Sequence, residues 1–249
     1  MPEMSASKIF VINLDRRPDR LQTISQTLDA LGLEWQRITA IDGQDPQLDA
    51  QVDWKKFHAY SQYLPVRRGP IGCYLSHRKV WQKIVDDNLQ QALILEDDVA
   101  PLESWDSAIL NIDIGKVGLE SLRLDASTIR GRMPWSKYFD MPVGNWRAQN
   151  YNSWGAGAYL ITREGARKQL RSDKMWFMAD DFLMFNRICR VQTALLKPLM
   201  WQHPHESPSD NSPPDDYWLG TGPWKKLFSY AATAFNRERE RMRLRRELL

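Results

Sequence analysis

Three consecutive carboxylates, Glu96, Asp97 and Asp98, directly follow the apolar run at residues 92–95. Because neighbouring negative charges repel, such a cluster is destabilising unless a cation or hydrogen-bond donors neutralise it. A divalent cation with oxygen ligands, Mg2+ or Mn2+, suits the cluster, since one or two carboxylates and substrate phosphates commonly hold such ions. The residues therefore predict a metal site that also contacts a substrate phosphate.

The spacing of the three carboxylates predicts different roles for them. In an extended backbone Glu96 and Asp98 project to one side and Asp97 to the other. We therefore predict that Asp98 is the metal ligand and that Glu96 contacts sugar or ribose hydroxyls. A solvated helix start, with an aspartate as its N-cap, is the competing interpretation.

The segment 13–20, Asn-Leu-Asp-Arg-Arg-Pro-Asp-Arg, brings three arginines next to a predicted helix N-terminus. Guanidinium groups and the N–H groups of a helix start both attract anions, so the segment is suited to a phosphate. It has no glycine-rich loop, which excludes a dinucleotide-binding fingerprint and a P-loop. Solvated Arg–Asp pairs would explain the same residues equally well.

Two histidines and two aromatic residues are further candidates. His203 and His205 flank Pro204 in a predicted late loop, where a histidine could complete a metal shell; ordinary surface histidines are the alternative. Trp154 and Tyr159 offer aromatic faces that could stack on the C–H side of an acceptor sugar, although core packing competes evenly.

A sheet with helices on both faces would position these residues. The β-branched and aromatic run 8–14 predicts a strand buried on both sides. A helix is predicted from Pro18 until Gly32, and a second strand at 34–40. This βαβ unit requires a right-handed crossover and indicates the α/β class. Glu96 then stands at the carboxyl end of a third strand, where such sheets bind ligands.

The rest of the chain gives weaker signals. A helix is predicted after residue 70, a strand followed by a helix within 159–170, and a short apolar helix at 182–188. Residues 44–70 are polar and unperiodic, which predicts an irregular excursion over the ligand-binding end of the sheet. Residues 100–150 predict loops and short elements without clear bounds.

Composition restricts the class of protein. A chain of 249 residues with 43% hydrophobic residues can bury one substantial core. Two cysteines, Cys73 and Cys189, are too few for a disulfide framework or a cysteine zinc site, so a reducing, cytoplasmic setting is the default. Neither a secretory segment nor a membrane span is predicted. Residues 225–249 hold eight Lys or Arg and three Asp or Glu, which puts the basicity in the tail and argues against a nucleic-acid partner.

Residues 8–43 carry the element INL…DR, and residues 69–98 carry GCYLSH and LEDD. Later come GAGAYLITREGARKQL at 155–170 and MADDFLMF at 178–185. In this order the segments resemble the bacterial glycosyltransferase family 25, the lipopolysaccharide and lipooligosaccharide galactosyltransferase-like enzymes. The first three elements are specific together and would not be specific singly. At Pro70 the chain departs from the family, which usually has glutamate there.

The resemblance implies a GT-A-type fold, which is a single Rossmann-like domain with a mostly parallel sheet. It also implies that the protein binds a UDP-sugar and transfers the sugar with inversion. Carried over by position, Glu96 and Asp98 would be the acidic metal-and-donor motif of the family. The residues placed at the nucleotide and donor are Asn13, Leu14, Arg16, Arg20, Asp42, Gly43, Ser76, His77, Glu96 and Asp97.

Inversion needs a carboxylate that deprotonates the acceptor hydroxyl while a metal stabilises the departing diphosphate. Asp180 occupies the family's late aspartate position and Asp181 adjoins it. One of the two is therefore the candidate catalytic base. A helix N-cap at either residue is the alternative.

The leading prediction is a hexosyltransferase that moves galactose from a UDP-sugar to an oligosaccharide or glycolipid acceptor in bacterial envelope glycolipid biosynthesis, with Mn2+ or Mg2+ as cofactor. The transferase domain would span 1–223, with a nucleotide-sugar-binding half at 8–98 and an acceptor-binding half at 99–223.

A sugar nucleotidyltransferase is one alternative, although it would normally have a glycine-rich loop after the first strand. A degenerate carbohydrate-binding protein is another, suggested by Pro70 and the eleven tryptophans.

The C-terminal segment 224–249 is predicted to be a basic amphipathic helix. Anionic headgroups attract its basic side chains by about 1 kcal/mol each, so it could dock on a membrane surface. We therefore expect a cytoplasmic protein attached peripherally to the inner face of the cytoplasmic membrane, where a glycolipid acceptor is confined. A solvated helix packed on the enzyme's own core is the alternative.

Overall fold

The computed structural model describes residues 7–61, 68–126, 128–132, 137–142, 146–181 and 189–204. His205, the short helix predicted at 182–188 and the tail 224–249 lie outside the described residues. Within the described part, no helix is both long enough and apolar enough to cross a membrane.

The described chain opens with the predicted βαβ unit. Strand β1 (Lys8–Asn13) is followed by helix α1 (Pro18–Ala30) and by strand β2 (Trp35–Thr39), which pairs in parallel with β1. Pro18 lies in the first turn of α1, where its missing N–H is tolerated. Gly32 follows the helix with φ +66°, a conformation that favours glycine.

Residues 44–70, expected to be irregular, contain a 3-10 helix (Pro46–Gln51) and helix α2 (Trp54–Ser61). The buried side chains of Leu48 and Phe57 anchor these two helices in the core. The segment is therefore not a plain loop. The sequence does not indicate its helices, because the three buried apolar side chains of Leu48, Val52 and Phe57 are too few to produce a visible period.

Helix α3 (Arg68–Asp86) carries the GCYLSH motif and packs directly on the turn after β2. Pro70 lies in its first turn. A Cβ atom at Gly72 would lie 2.5 Å from the backbone nitrogen of Gly43 and 2.5 Å from the carbonyl oxygen of Ile41. Glycine is therefore required at residue 72 for this close approach.

Replacing Gly72 by alanine should destabilise the protein by about 1–3 kcal/mol, because the added methyl group overpacks a backbone contact. Thermal unfolding should show this as a fall in Tm of roughly 5 °C. Gln82→Ala, at an exposed position of the same helix, should change Tm much less. Equal Tm values for Gly72→Ala and the wild type would show that the turn moves aside without cost.

The remaining elements are mostly short strands. β3 (Gln91–Glu96) ends in the acidic cluster, and helix α4 (Arg163–Gln169) follows β10 directly. The strands after β3 are β4 (Ala100–Pro101), β5 (Ser121–Arg123), β6 (Thr128–Arg132), β7 (Tyr138–Asp140), β8 (Arg147–Gln149), β9 (Tyr151–Trp154), β10 (Ala158–Thr162), β11 (Thr193–Lys197) and β12 (Trp201–Gln202). A 3-10 helix spans Ser107–Asn111. The strand and helix predicted within 159–170 are confirmed.

Eight strands form one sheet in the order β2-β1-β3-β10-β5-β11-β8-β7. The pairs β1–β2, β1–β3 and β5–β11 are parallel, whereas β10 is antiparallel to β3 and β5, and β8 is antiparallel to β11 and β7. Six of these eight strands therefore share one direction, and β10 and β8 oppose them. The predicted α/β class with a mostly parallel sheet is confirmed.

Both faces of the sheet are covered. Along β1, Phe10 and Ile12 belong to the core on the α3 side, and Ile9 and Val11 to the core on the α1 side. All four side chains are at most 7% exposed. The carboxyl ends of β1, β3 and β5 meet the start of β10 at one edge, because β10 runs in the opposite direction. That edge carries the acidic cluster.

Candidate active site

Asp97 and Asp98 are held at the sheet edge by Asn13 and Arg20. Nδ2 of Asn13, the last residue of β1, donates a 2.7 Å hydrogen bond to Oδ2 of Asp97. Nη1 of Arg20, in α1, lies 3.3 Å from Oδ1 of Asp97 and 3.1 Å from Oδ2 of Asp98. Burial, and then the charge of Asp98, raise the pKa of Asp97 against the effect of the Asn13 hydrogen bond. Asp97 is thus anchored to the first βα turn.

Glu96, Asp98 and His203 form a group that could hold a metal. Each offers one ligand atom, and these atoms lie within 4.8 Å of one another. The side chains of Glu96 and Asp98 therefore reach one point, although Asp97 and Asp98 lie in a turn after the strand and not in extended backbone. Nδ1 of His203 is 3.2 Å from Oδ1 of Asp98, a buried oxygen to which no donor in the described residues is aligned for a hydrogen bond.

This donor set fits the predicted divalent cation. Two carboxylates and an imidazole that converge on one point could hold a divalent cation. Although burial disfavours its charge, His203 and Arg20 hold the pKa of Asp98 below its ordinary value. The carboxylates of Asp125 and Asp98 raise the pKa of His203 to about 10. Without a metal, the imidazolium of His203 therefore offsets part of the negative charge of the cluster, and a bound cation would take over that role.

Asp125 is a site residue that no motif indicated. It is fully buried, and its carboxylate accepts hydrogen bonds from the backbone N–H groups of Gly157 at 3.2 Å and Ala158 at 3.1 Å. Nε2 of His203 lies 3.4 Å from its Oδ2. The run 121–125, Ser-Leu-Arg-Leu-Asp, ends in an aspartate after a strand, which is a weaker form of the signal given by the acidic cluster.

Gly157 makes room for the His203 ring. A Cβ atom at residue 157 would lie 2.5 Å from Nε2 of His203 and 2.6 Å from Cγ1 of Val99. Distances below 3.0 Å cannot be accommodated without a shift. The absence of a side chain at this position therefore lets the imidazole lie between Asp98 and Asp125.

A buried chain of hydrogen bonds supports Glu96 from the interior. Nε2 of His77 lies 3.1 Å from Oε1 of Glu96, and Nδ1 lies 2.8 Å from the hydroxyl of Tyr159. That hydroxyl also accepts a 2.9 Å hydrogen bond from Nε1 of Trp81. Since a carboxylate only accepts, Nε2 of His77 donates to Glu96, and the Tyr159 hydroxyl is the hydrogen-bond partner of Nδ1.

Tyr159 does not have the surface position expected of an acceptor contact. It is 1% exposed, and its ring packs against His77, so the prediction that it stacks on an acceptor sugar is wrong in this structure. The reason is its place in β10, where every residue is buried. Trp154 ends β9, and its side chain lies outside the described part of the chain.

The residues predicted at the nucleotide divide into buried supports and surface groups. The hydroxyl of Ser76 accepts a 2.8 Å hydrogen bond from the backbone nitrogen of Ile41 and donates one of 2.6 Å to the carbonyl of Gly72. Ser76 thereby ties α3 to the turn after β2. Nε of Arg16 pairs with Oδ2 of Asp42 at 3.0 Å in an exposed ion pair.

Leu14 and Gly43 lie at the same sheet edge. Leu14 directly follows β1, and its carbonyl accepts a 2.9 Å hydrogen bond from the backbone nitrogen of Arg17. The carbonyl of Gly43, in the turn after β2, accepts a 2.9 Å hydrogen bond from Nε of Arg68. The nucleotide contacts expected of both residues stay predictions.

Asp180 and Asp181 lie within electrostatic reach of the acidic cluster. Burial, followed by the charges of Asp181 and Glu96, raises the pKa of Asp180 to about 7, while Arg123 opposes the shift. A carboxyl group with a pKa near neutrality is suited to general-base catalysis. Asp180 therefore meets one requirement of the predicted base, and the choice between Asp180 and Asp181 stays a prediction.

If Asp180 is the base, kcat/KM should rise with pH through about 7, because only the ionised carboxylate accepts a proton. The pKa of Asp180 in the folded state lies above the ordinary 3.8, so the protonated carboxyl stabilises the fold relative to the unfolded chain. This contribution to the free energy of unfolding is complete below about pH 4 and is lost as the pH rises through 7. Asp180→Asn should therefore be inactive yet more heat-stable than the wild type at pH 8. pH–rate profiles and Tm measurements check both points. If kcat/KM lost its pH dependence in Asp181→Asn but kept it in Asp180→Asn, the base would be Asp181.

Carboxylates and an imidazole gathered at the carboxyl edge of an α/β sheet form an acidic site that could hold a metal. The chain belongs to glycosyltransferase family 25: the family model described as "Glycosyltransferase family 25 (LPS biosynthesis protein)" matches residues 6–184. The predicted resemblance is confirmed, and with it the assignment to the glycosyltransferases.

Similar proteins include procollagen galactosyltransferases. Procollagen galactosyltransferase 2 of Homo sapiens is 30% identical over 199 residues, covering 74% of this chain and 31% of the relative. Procollagen galactosyltransferase 1 of Danio rerio is 32% identical over 198 residues, covering 74% and 32%. The chain spans about a third of the length of these curated relatives. The crystal structure of a glycosyltransferase involved in the glycosylation of the major capsid of PBCV-1 covers 96% of this chain at 10% identity, with a TM-score of 0.43.

Proposed function

We propose that the protein is an inverting galactosyltransferase that uses a UDP-sugar donor and a divalent cation, Mn2+ or Mg2+. The observation that carries the proposal is the convergence of Glu96, Asp98 and His203 at the carboxyl edge of the sheet. Membership of family 25 and relatives named as galactosyltransferases support it.

Asp98 and His203 would hold the cation, with Glu96 beside them. A divalent ion bound there stabilises the negative charge of the departing diphosphate. Arg20 keeps Asp98 in position through the 3.1 Å contact with its Oδ2. Asp180 would accept the proton of the acceptor hydroxyl as the new glycosidic bond forms.

For the acceptor we propose a saccharide of a bacterial envelope glycolipid, in line with the description of the family model. Attachment of residues 224–249 to an anionic membrane surface on the cytoplasmic side would bring the enzyme to such an acceptor. The relatives named for procollagen raise a protein hydroxyl as the other acceptor to test.

The proposal is tested by UDP release from a panel of UDP-sugars, with lipooligosaccharide fragments or collagen peptides as acceptors. We expect UDP-galactose to be the preferred donor, EDTA to stop turnover and Mn2+ to restore it. Because UDP-galactose is α-linked, inversion should give a β-linked product, which NMR can identify. An α-linked product, or full turnover in EDTA, would contradict the proposed mechanism.

The two alternative functions give different results in the same assays. A carbohydrate-binding protein would bind the donor in calorimetry but turn over none of the acceptors. A sugar nucleotidyltransferase would release pyrophosphate from UTP and a sugar phosphate.

A further inference from the structure

We propose a second metal site, selective for a soft divalent cation of the zinc class, formed by Cys73, His77 and Glu96. Each of the three residues offers one ligand atom, and all three atoms lie within 4.8 Å of one another. Neither the catalytic roles proposed above nor the donor site uses the sulfur of Cys73. The GCYLSH segment would therefore bind a metal through Cys73 and His77.

The geometry is close to that of a zinc site. Cys73 and His77 are four residues apart on α3, which puts both side chains on one face of the helix. Sγ of Cys73 lies 3.4 Å from Oε1 of Glu96, and Nε2 of His77 lies 3.1 Å from the same oxygen. A tetrahedral Zn2+ with bonds of about 2.0–2.3 Å separates its ligand atoms by roughly 3.3–3.6 Å, so small movements would suffice.

The chemistry of the ligands favours zinc over the cation of the donor site. A thiolate selects Zn2+ or Cd2+, whereas Mg2+ and Mn2+ prefer oxygen ligands. When the cation binds, a metal–sulfur bond replaces the S–H bond of Cys73, and that proton passes to solvent. The cation also displaces the proton on Nε2 of His77, which leaves to solvent, and Nδ1 takes up one proton from solvent, so that the metal-bound ring is neutral and donates to the Tyr159 hydroxyl. A metal-bound histidine normally has such a hydrogen-bond partner for its second nitrogen.

The site is accessible and shares a residue with the donor site. Cys73 is half-buried and the Glu96 side chain is 25% exposed, whereas the His77 side chain is fully buried, so an ion would enter from the side of Cys73 and Glu96, where water could supply a fourth ligand. Glu96 belongs both to this group and to the group with Asp98 and His203. A zinc-class ion would therefore withdraw Glu96 from the donor and inhibit transfer.

Binding can be tested with Cd2+ as the probe on the full-length protein. Cd2+ bound to a thiolate gives a charge-transfer absorption in the ultraviolet, which reports the sulfur ligand directly. The wild type and Cys189→Ser, which alters the other cysteine, should both give this absorption. Cys73→Ser should lose it and bind Cd2+ roughly tenfold or more weakly. Asp98→Asn should keep it, because Asp98 belongs only to the donor-site group.

The absorption would overturn the proposal if it persisted in Cys73→Ser or disappeared in Cys189→Ser or Asp98→Asn. The inhibitory consequence rests on the proposed function and has its own measurement. In Mn2+-supported UDP release, Cys73→Ser should need at least about tenfold more Zn2+ for half-inhibition than the wild type. If no transferase activity is found, the Cd2+ absorption still decides the binding claim.

Discussion

Asp98→Asn should lower kcat/KM for Mn2+-supported sugar transfer by roughly two orders of magnitude or more, because stabilisation of the leaving diphosphate is an electrostatic transition-state effect. The amide keeps the shape of the side chain, and its oxygen can still accept a hydrogen bond from Arg20, whose Nη1 lies 3.1 Å from Oδ2 of Asp98. It removes the charge that pairs with His203 at 3.2 Å and that would bind the cation. The effect should therefore fall on catalysis rather than on folding.

The measurement is initial-rate UDP release over a range of Mn2+ concentrations, with Tm as the check on folding. Asp86→Asn is the matched control, because Asp86 is exposed on α3 and contacts Gln82 far from the acidic cluster. It should keep wild-type kinetics. Wild-type turnover by Asp98→Asn would remove the metal assignment from this residue.

Asp125→Ala should destabilise the protein by about 3–5 kcal/mol, the usual cost of removing one partner from a buried charged group. The substitution leaves the backbone N–H groups of Gly157 and Ala158 without their acceptor and His203 without its second carboxylate. For a domain of this size the loss corresponds to a fall in Tm of roughly 10 °C. Activity should also be lost well below that Tm, because His203 is no longer fixed beside Asp98.

Asp113→Ala is a suitable comparison for this variant. Asp113 also accepts from two backbone N–H groups, those of Gly115 at 3.0 Å and Lys116 at 3.3 Å, but in a turn outside the acidic cluster. Its loss should cost about 1–2 kcal/mol and leave the kinetics unchanged. If Asp125→Ala transferred sugar at the wild-type rate below its Tm, His203 would not depend on Asp125 for its position.

The acidic cluster could be predicted from sequence because its strand is long, apolar and abruptly ended by charge. The same reasoning located β1, α1 and β2, whose apolar residues follow the pattern of a strand or a helix without interruption. It could not locate β5, which has three residues and includes Arg123, a charged side chain that is only 2% exposed. Without β5, the aspartate that follows it had no structural context. Asp125 was missed for that reason.

The direction of β10 and the burial of Tyr159 within it could not be predicted from the sequence. The local pattern of β10 indicates a buried strand but does not encode whether it runs with or against its neighbours. Because β10 is antiparallel to β3, its first residues, not its last, reach the site edge. Tyr159 lies one residue inside that start and is packed within the core, where an aromatic residue in an apolar run is expected to be. Residue type alone could not distinguish this position from a sugar-stacking one.

The space left by Gly157 links the evolution of two positions that are far apart in sequence. Any side chain at residue 157 would enter the volume of the imidazole at residue 203, since even a methyl group would lie 2.5 Å from Nε2. Enzymes of this architecture with a histidine at the second position should therefore retain glycine at the first. Lineages that acquire a larger residue at 157 should have exchanged His203 for a smaller side chain, and with it the ligand set of the site. The residues at positions 157 and 203 should thus covary among members of the family.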